Sequence, residues 1–226
     1  MASRIVKIAK KTKFMRKFPR LNLGSLVVLI ICSFLIIIST FTPIPQLILS
    51  VPPDALINPS VFFAKINSID KITSVFYYIP QIPIVLMIAA ILGPALGIIS
   101  VVLYIAAGLA GFPVFAGGGG INYYMQHGFG YILGFIPGIL TAGGILSGKL
   151  KSFSTFRAAI IGVTSVHLFG IIYLTIVLLI KCESIFAILG WIWQLSGMQF
   201  FYDIIFSIIA IVLGRAIRKV LWVAMD

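Results

Sequence analysis

The sequence predicts an all-α integral membrane protein: a bundle of about six transmembrane helices with the N- and C-termini in the cytoplasm. Three observations predict it. The 226 residues are 61% hydrophobic and 10% charged, with a mean hydropathy of +1.16. A soluble domain is roughly half apolar and about a quarter charged, so the bilayer must solvate the excess. The apolar residues fall in runs near the length of about 20 residues that a span needs. Lysine and arginine gather at the ends of those runs.

Residues 1–23 read as a basic cytoplasmic tail. Arg4, Lys7, Lys10, Lys11, Lys13, Arg16, Lys17 and Arg20 lie in it, with no acid. The apolar run at 24–41 is too long for a signal-peptide core, and no clean small-x-small cleavage site follows, so it reads as a retained first helix. Residues 42–78 form an extracytoplasmic insertion. Pro43, Pro45, Pro52, Pro53 and Pro59 argue against one continuous helix there. The second span is 79–92, and Gly93-Pro94 ends it, since proline lacks the amide donor and clashes with the preceding turn. The third is 95–110, the fourth 129–146, the fifth 156–180 and the sixth 197–216. Residues 184–194 carry Trp191 and Trp193 and read as an interfacial segment, because tryptophan favours the headgroup level. A cytoplasmic tail, 217–226, follows. The six spans make one transmembrane domain, 24–216, with no internal repeat.

The cations test the count, because they concentrate in cytoplasmic loops. Six spans put inside the N-terminal cluster, then Lys149, Lys151 and Arg157, then Arg215, Arg218 and Lys219. Only Lys65, Lys71 and Lys181 fall outside. Five spans would place the C-terminal cations outside. The net charge of +12 therefore marks topology, and no nucleic-acid partner is expected. The N-terminal cluster can also meet anionic lipid. Cys32 and Cys182 lie far apart in or beside apolar stretches and read as unpaired.

Charge inside a span is costly, so an intramembrane ionisable residue is a functional candidate. Asp203 is the acid that qualifies, with Gln199 and Ser207 one turn away on its face. It serves either a small polar ligand or a helix neighbour. Gly117, Gly118, Gly119 and Gly120 lead into Asn122, Tyr123, Tyr124, Gln126 and His127. This loop is either a lid that folds over a ligand or a plain connector. It lacks the Gly-Lys-Ser/Thr of a phosphate loop, so nucleotide hydrolysis is not expected. His167 reads as a hydrogen-bond partner between helices. Neither histidine has a second ligand at metal spacing, so no metal, and no cofactor, is expected. Gly134, Gly138, Gly143, Gly144 and Gly148 read as close helix packing. Tyr104 and Tyr131 make polar contacts in the bundle or anchor it at the interface. No catalytic residue is assigned, and no Ser/His/Asp or Cys/His set appears in register, so the chain is not read as an enzyme.

The run Tyr104-Ile105-Ala106-Ala107-Gly108-Leu109-Ala110-Gly111-Phe112-Pro113-Val114-Phe115-Ala116-Gly117-Gly118 resembles the hallmark of the BioY family, the biotin-binding subunits of energy-coupling factor transporters. Gly130-Tyr131-Ile132-Leu133-Gly134-Phe135 is similar to the family's G-Y-x-x-G-F segment. Gln81, twelve residues before Gly93, matches a family helix start, and Asp203 matches the acid of G-D-L-L-K. Phe206 stands where that motif has lysine, and the first helix lacks an Ala-x-x-x-Ala stripe. The resemblance implies a biotin-capture subunit in the bacterial inner (plasma) membrane. A transmembrane coupling protein and two ATPase subunits would be its partners. Asp203, Asn122, Gln81, Tyr123, Gln199 and Tyr131 would bind the ligand, and Gly117–Gly120 would be the lid loop. The rivals are a capture subunit for another vitamin or small molecule and, from another class, a membrane enzyme or structural helix bundle.

Overall fold

The computed structural model describes residues 22–49, 73–148 and 153–225. The basic tail up to residue 21, the middle of the insertion at 50–72, and Lys149 and Lys151 lie outside the described residues.

Helix α1 (Leu23–Thr40) starts where the Asn22 side chain accepts the Ser25 amide at 2.7 Å, satisfying a donor with no partner inside the helix. Its buried stripe, Val28, Leu29, Cys32, Ser33 and Ile36, recurs every three to four residues. The opposite face exposes Leu26, Ile30, Phe34 and Ile38, as lipid solvent permits. Ser33 bonds Ser100 of the next helix, hydroxyl to hydroxyl at 3.0 Å.

Two strands follow, β1 (Ile44–Leu49) and β2 (Thr73–Tyr78), paired antiparallel with Ile44 opposite Tyr78. This ribbon corrects the all-helical expectation. Thr73-Ser74-Val75-Phe76-Tyr77-Tyr78 is β-branched and aromatic, the composition that fits a pleated surface.

Helix α2 (Gln81–Leu109) is a helical hairpin. At Gly93 the backbone leaves the helix, with φ 76 and ψ −179, a region that glycine enters freely. Pro94 then brings no amide donor. The Gln81 amide nitrogen donates to the Tyr104 hydroxyl at 3.2 Å across 23 residues. A straight helix would hold them about 35 Å apart, so the limbs 81–92 and 94–109 lie side by side. The expected second and third spans are these limbs. Among the described residues five helices are long and apolar enough to cross a membrane, which makes this a multi-pass membrane protein.

Helices α3 (Phe129–Leu146) and α4 (Ser154–Ile180) touch through glycines. A Cβ on Gly134 would lie 2.7 Å from the Val166 carbonyl oxygen, and one on Gly138 2.5 Å from the Val166 side chain. Gly143 meets Pro94 in the same way, at 3.0 Å. These three pack as expected. Gly144 faces open space, and Gly148 meets only Ile145 of its own helix end, so the packing reading fails for both.

Helix α5 (Ile185–Met225) corrects the sixth span. It begins at Ile185 rather than Gly197, so the tryptophan segment is its first part. It also runs past Ala216 through most of the expected tail. Gly190 and Gly197 cost about 1 kcal/mol each as helix formers. Breaking the helix in lipid would strand backbone groups at several kcal/mol each, so the helix continues. At about 60 Å it outruns the hydrocarbon layer of about 30 Å. The helices form a ring, α2 against α3, α3 against α4, α4 against α5 and α5 against α2, with α1 packed mainly outside on α2.

Gly134→Ala should cost about 1–3 kcal/mol through overpacking, whereas Gly144→Ala should be neutral or stabilising by up to about 1 kcal/mol. Thermal unfolding of both variants in detergent would show it; equal melting temperatures would refute the close contact.

Candidate functional site

Asp203 lies inside the ring, fully buried. A carboxylate accepts and does not donate, so its partners must bring the protons. The Tyr78 hydroxyl donates to Oδ1 at 2.7 Å. His167 Nε2 meets Oδ2 at 3.0 Å. Facing a carboxylate, Nε2 is the donor of that pair, and Nδ1 on the other side of the ring lies 2.9 Å from the Ser196 hydroxyl. Ser196 lies 2.6 Å from the Tyr131 hydroxyl. One continuous chain results: Tyr131, Ser196, His167, Asp203, Tyr78. It draws on α3, α5, α4, α5 again, and β2. Its members are all buried.

Neighbouring rings hold the chain in place. Tyr78 stacks on Phe206, with centroids 5.2 Å apart and planes 22° apart, and tilts against Tyr202 at 5.8 Å. His167 is met edge-on by Tyr131 at 5.6 Å and Phe200 at 5.2 Å. One turn beyond Asp203, the Ser207 hydroxyl is buried with no hydrogen-bond partner among the described residues.

A second polar cluster closes the same end of the bundle. Gln81 donates to Thr40 at 2.6 Å as well as to Tyr104. The Tyr104 ring leads to Phe115 at 5.3 Å, Phe115 to Tyr123 at 4.5 Å, and Tyr123 to Phe129 at 6.1 Å. The glycine loop folds back onto this ladder. Phe115 and Gly118 exchange backbone hydrogen bonds at 3.0 Å, and the Gly120 amide donates to the Gly108 carbonyl at 2.7 Å. A Cβ on Gly119 would overlap the Phe112 carbonyl, and one on Gly108 the Phe115 ring. The loop is thus seated on the end of α2, held by contacts that only glycine permits. The 3-10 turn after it, Ile121–Met125, is tied to α4: Tyr173 donates to the Tyr124 carbonyl at 2.8 Å and Lys181 to that of Met125 at 3.0 Å. His127 packs on Trp191, ring to ring at 4.1 Å. Burial, and then the Lys181 charge, hold its pKa below the usual imidazole value against the opposing pull of Glu183, so the imidazole is neutral at pH 7.

Among the expected site residues, Asp203 and Tyr131 fall in the buried chain. Gln81, three residues past Tyr78, and Tyr123 fall in the adjoining cluster. Asn122 is exposed on the 3-10 turn, and Gln199 is half-buried; neither is brought to the chain. His167 is the interhelical partner expected of it. Sequence reasoning missed Tyr78 and Ser196. Ser196 had a signal, since it lies seven residues before Asp203, two helical turns down the same face. Tyr78 had none, because strand pairing and a chain reversal deliver it.

A cavity of about 600 Å³ lies between α4 and α5, floored by His167 and Ser196 and walled by apolar side chains such as Ile171, Ile192 and Phe200. Its rim residues Leu168, Leu189 and Trp193 are exposed on the apolar flank of the bundle. The cavity therefore opens toward lipid, and Asp203 does not line it.

His167→Ala would leave a buried carboxylate with one hydrogen-bond partner fewer, at a cost of about 1.5–3 kcal/mol. Ser196→Ala should cost only about 1 kcal/mol. Comparable small losses for both in thermal unfolding would show that Asp203 does not depend on His167.

The family model described as "BioY family" matches residues 55–222. A probable biotin transporter BioY of Lysinibacillus sphaericus is 37% identical over 102 residues, which cover 43% of this chain and 51% of that protein. One from Pyrococcus horikoshii is 33% identical over 95 residues, covering 42% and 56%. The chain spans about half the length of the curated relatives it matches. A crystal structure of the S-component for biotin from an ECF-type ABC transporter shares the fold, with a TM-score of 0.59 and 23% identity over 86% of this chain and 90% of that one. With the family model matching well over half of its length, the chain belongs to the BioY family.

Proposed function

We propose that this chain is a membrane-embedded biotin-capture subunit, the substrate-specificity component of an energy-coupling factor transporter. One observation carries the reading beyond family membership: a fully buried intramembrane acid, Asp203, inside a polar chain at the end of the bundle that the glycine loop covers. Biotin's ureido ring offers two N–H donors and one carbonyl. Asp203 accepts an N–H, a charge-assisted bond that strengthens where water is excluded. Ser207, buried without a partner, has a hydroxyl to offer the carbonyl. Gln81, Tyr123 and Tyr131 complete the polar and aromatic wall, Asn122 and Gln199 serve at its rim, and Gly117–Gly120 is the lid. The ligand enters from the loop end, because the α4–α5 cavity opens toward lipid and an anionic vitamin arrives from water.

In this reading the two limbs of α2 both cross the membrane, giving six spans. The contacts support one polarity. Lys181 and the 121–127 loop share one end of the bundle; Arg215, whose guanidinium donates to Thr155 at 2.7 Å, lies at the other. The cation-rich end is cytoplasmic and holds both termini, in a bacterial plasma membrane. Residues 24–216 are the substrate-binding domain, flanked by the cytoplasmic tails, with 42–78 extracytoplasmic. A coupling protein and two ATPase subunits supply the energy, and the chain itself performs no catalysis.

Calorimetry on the detergent-solubilised chain should show saturable biotin binding with Kd at or below about 1 μM, equivalent to about −8 kcal/mol, while thiamine and riboflavin stay silent. Asp203→Asn should weaken it by about 10-fold or more, the worth of a hydrogen bond to a charged group. A folded chain that prefers another vitamin would overturn the assignment. Biotin methyl ester, as a comparator, reads whether the carboxylate is recognised with Phe206 in place of lysine.

A further inference from the structure

Asp203 is closed in by its neighbours, although each carboxylate oxygen can accept a second hydrogen bond. Tyr78 holds Oδ1, His167 holds Oδ2, and the residue is fully buried. A ligand therefore reaches this acid only by moving a group packed over it, and the two donors are the groups that touch it.

The two donors are not equally movable. His167 lies in mid-α4, one residue beyond Val166, whose carbonyl meets Gly134 of α3. Its ring is bonded at both nitrogens, to Ser196 and to Asp203, and flanked edge-on by Tyr131 and Phe200. Displacing it means unpacking two helices. Tyr78 is the last residue of a two-stranded ribbon and joins α2 through Ile79-Pro80. Val75 and Tyr77 of the same strand are exposed. Tyr78 itself is buried, its ring stacked on Phe206.

We propose that Tyr78 is the resident occupant of the ligand's place on Asp203, and so the residue that sets affinity and ligand class at this site. The inference rests on the reading of Asp203 as a ligand-binding acid. Tyr78 presents an O–H donor at the edge of a flat ring that lies on Phe206. A ligand that replaces it must present a donor at the edge of a compact ring body. A cyclic urea fused to a second ring meets that demand; an open-chain or strongly anionic head does not. Exchange trades one hydrogen bond to the carboxylate for another. The apparent affinity is therefore the intrinsic affinity reduced by the fraction of time Tyr78 is bound.

Tyr78→Phe keeps the ring and its stack but removes the donor. It should lower the melting temperature of the ligand-free chain and tighten biotin binding by about tenfold, the worth of the removed bond. Weaker binding would make Tyr78 a contact of the bound ligand, and unchanged binding would make it a bystander; either overturns the proposal. A second arm needs no ligand and no Tyr78 variant. Nitration of Tyr78 by tetranitromethane, read by peptide mass spectrometry, should be slow in the wild-type chain and several-fold faster in Asp203→Ala. Equal rates would mean that Asp203 does not hold the phenol, which overturns the proposal. A wild-type chain that binds no biotin overturns the biotin reading, and the nitration arm still decides the Tyr78 contact.

Discussion

The arrangement of this bundle turns on one buried carboxylate. A charge cannot stay bare in hydrocarbon, so a protein that keeps Asp203 at the centre of its helices must bring donors to it. It brings them from the ribbon and α4, and secures them with groups from α5 and α3. Tyr78, His167, Ser196 and Tyr131 each lie on a different segment or turn, and they meet because the acid lies between those segments. The glycines of α3 serve the same end. Gly134 and Gly138 let α4 approach closely, and Gly170 of α4 receives the Tyr131 ring, which a Cβ there would approach to 2.5 Å. That approach sets Tyr131 beside His167.

The second constraint is the backbone. In lipid each amide and carbonyl must be paired within the protein, so helices persist wherever they can and break only where the break is compensated. Helix α5 passes Gly190 and Gly197 without interruption. Helix α2 reverses at Gly93, where the proline that follows has no amide to strand, and Gly143 of α3 packs against the turn. At the other end of its second limb the chain leaves the helix through a loop whose glycine amides and carbonyls bond each other and the last turn of α2. Phe115 of this loop is buried against Tyr104, Tyr123 and Phe129, and Tyr173 and Lys181 tie the turn that follows to α4, so the loop covers the end of the bundle.

These two constraints together suit the proposed capture site. The acid gives a strong, directional acceptor in a dry place, and the internal donors keep that acceptor satisfied while no ligand is present. On the proposed reading the cost of an empty site is kept low, and binding is an exchange of partners rather than the filling of a void. The apolar cavity between α4 and α5 plays no part in that exchange, since it meets the polar chain from the lipid side.

Much of this was legible in the residues. Composition and run length determine a helical membrane protein, because no other solvent accepts so much apolar surface. Gly93-Pro94 determines a break, Asp203 stands out as an acid inside a span, and His167 as a hydrogen-bond partner between helices. The Tyr104–Phe135 run determines the family. Tertiary structure decided the rest. Residues 125 positions apart, Tyr78 and Asp203, share a hydrogen bond, and no local pattern encodes such a pairing. The ribbon exists because two short segments at the two ends of the insertion pair with each other, whereas helix periodicity is local. Asn122 and Gln199 had the right chemistry in the right stretch, yet the helix face and the loop path left one exposed and the other half-buried. Sequence alone determined which residues carry polar chemistry into the membrane; packing decided which of them meet, because a buried charge is satisfied by whatever the fold places within about 3 Å of it.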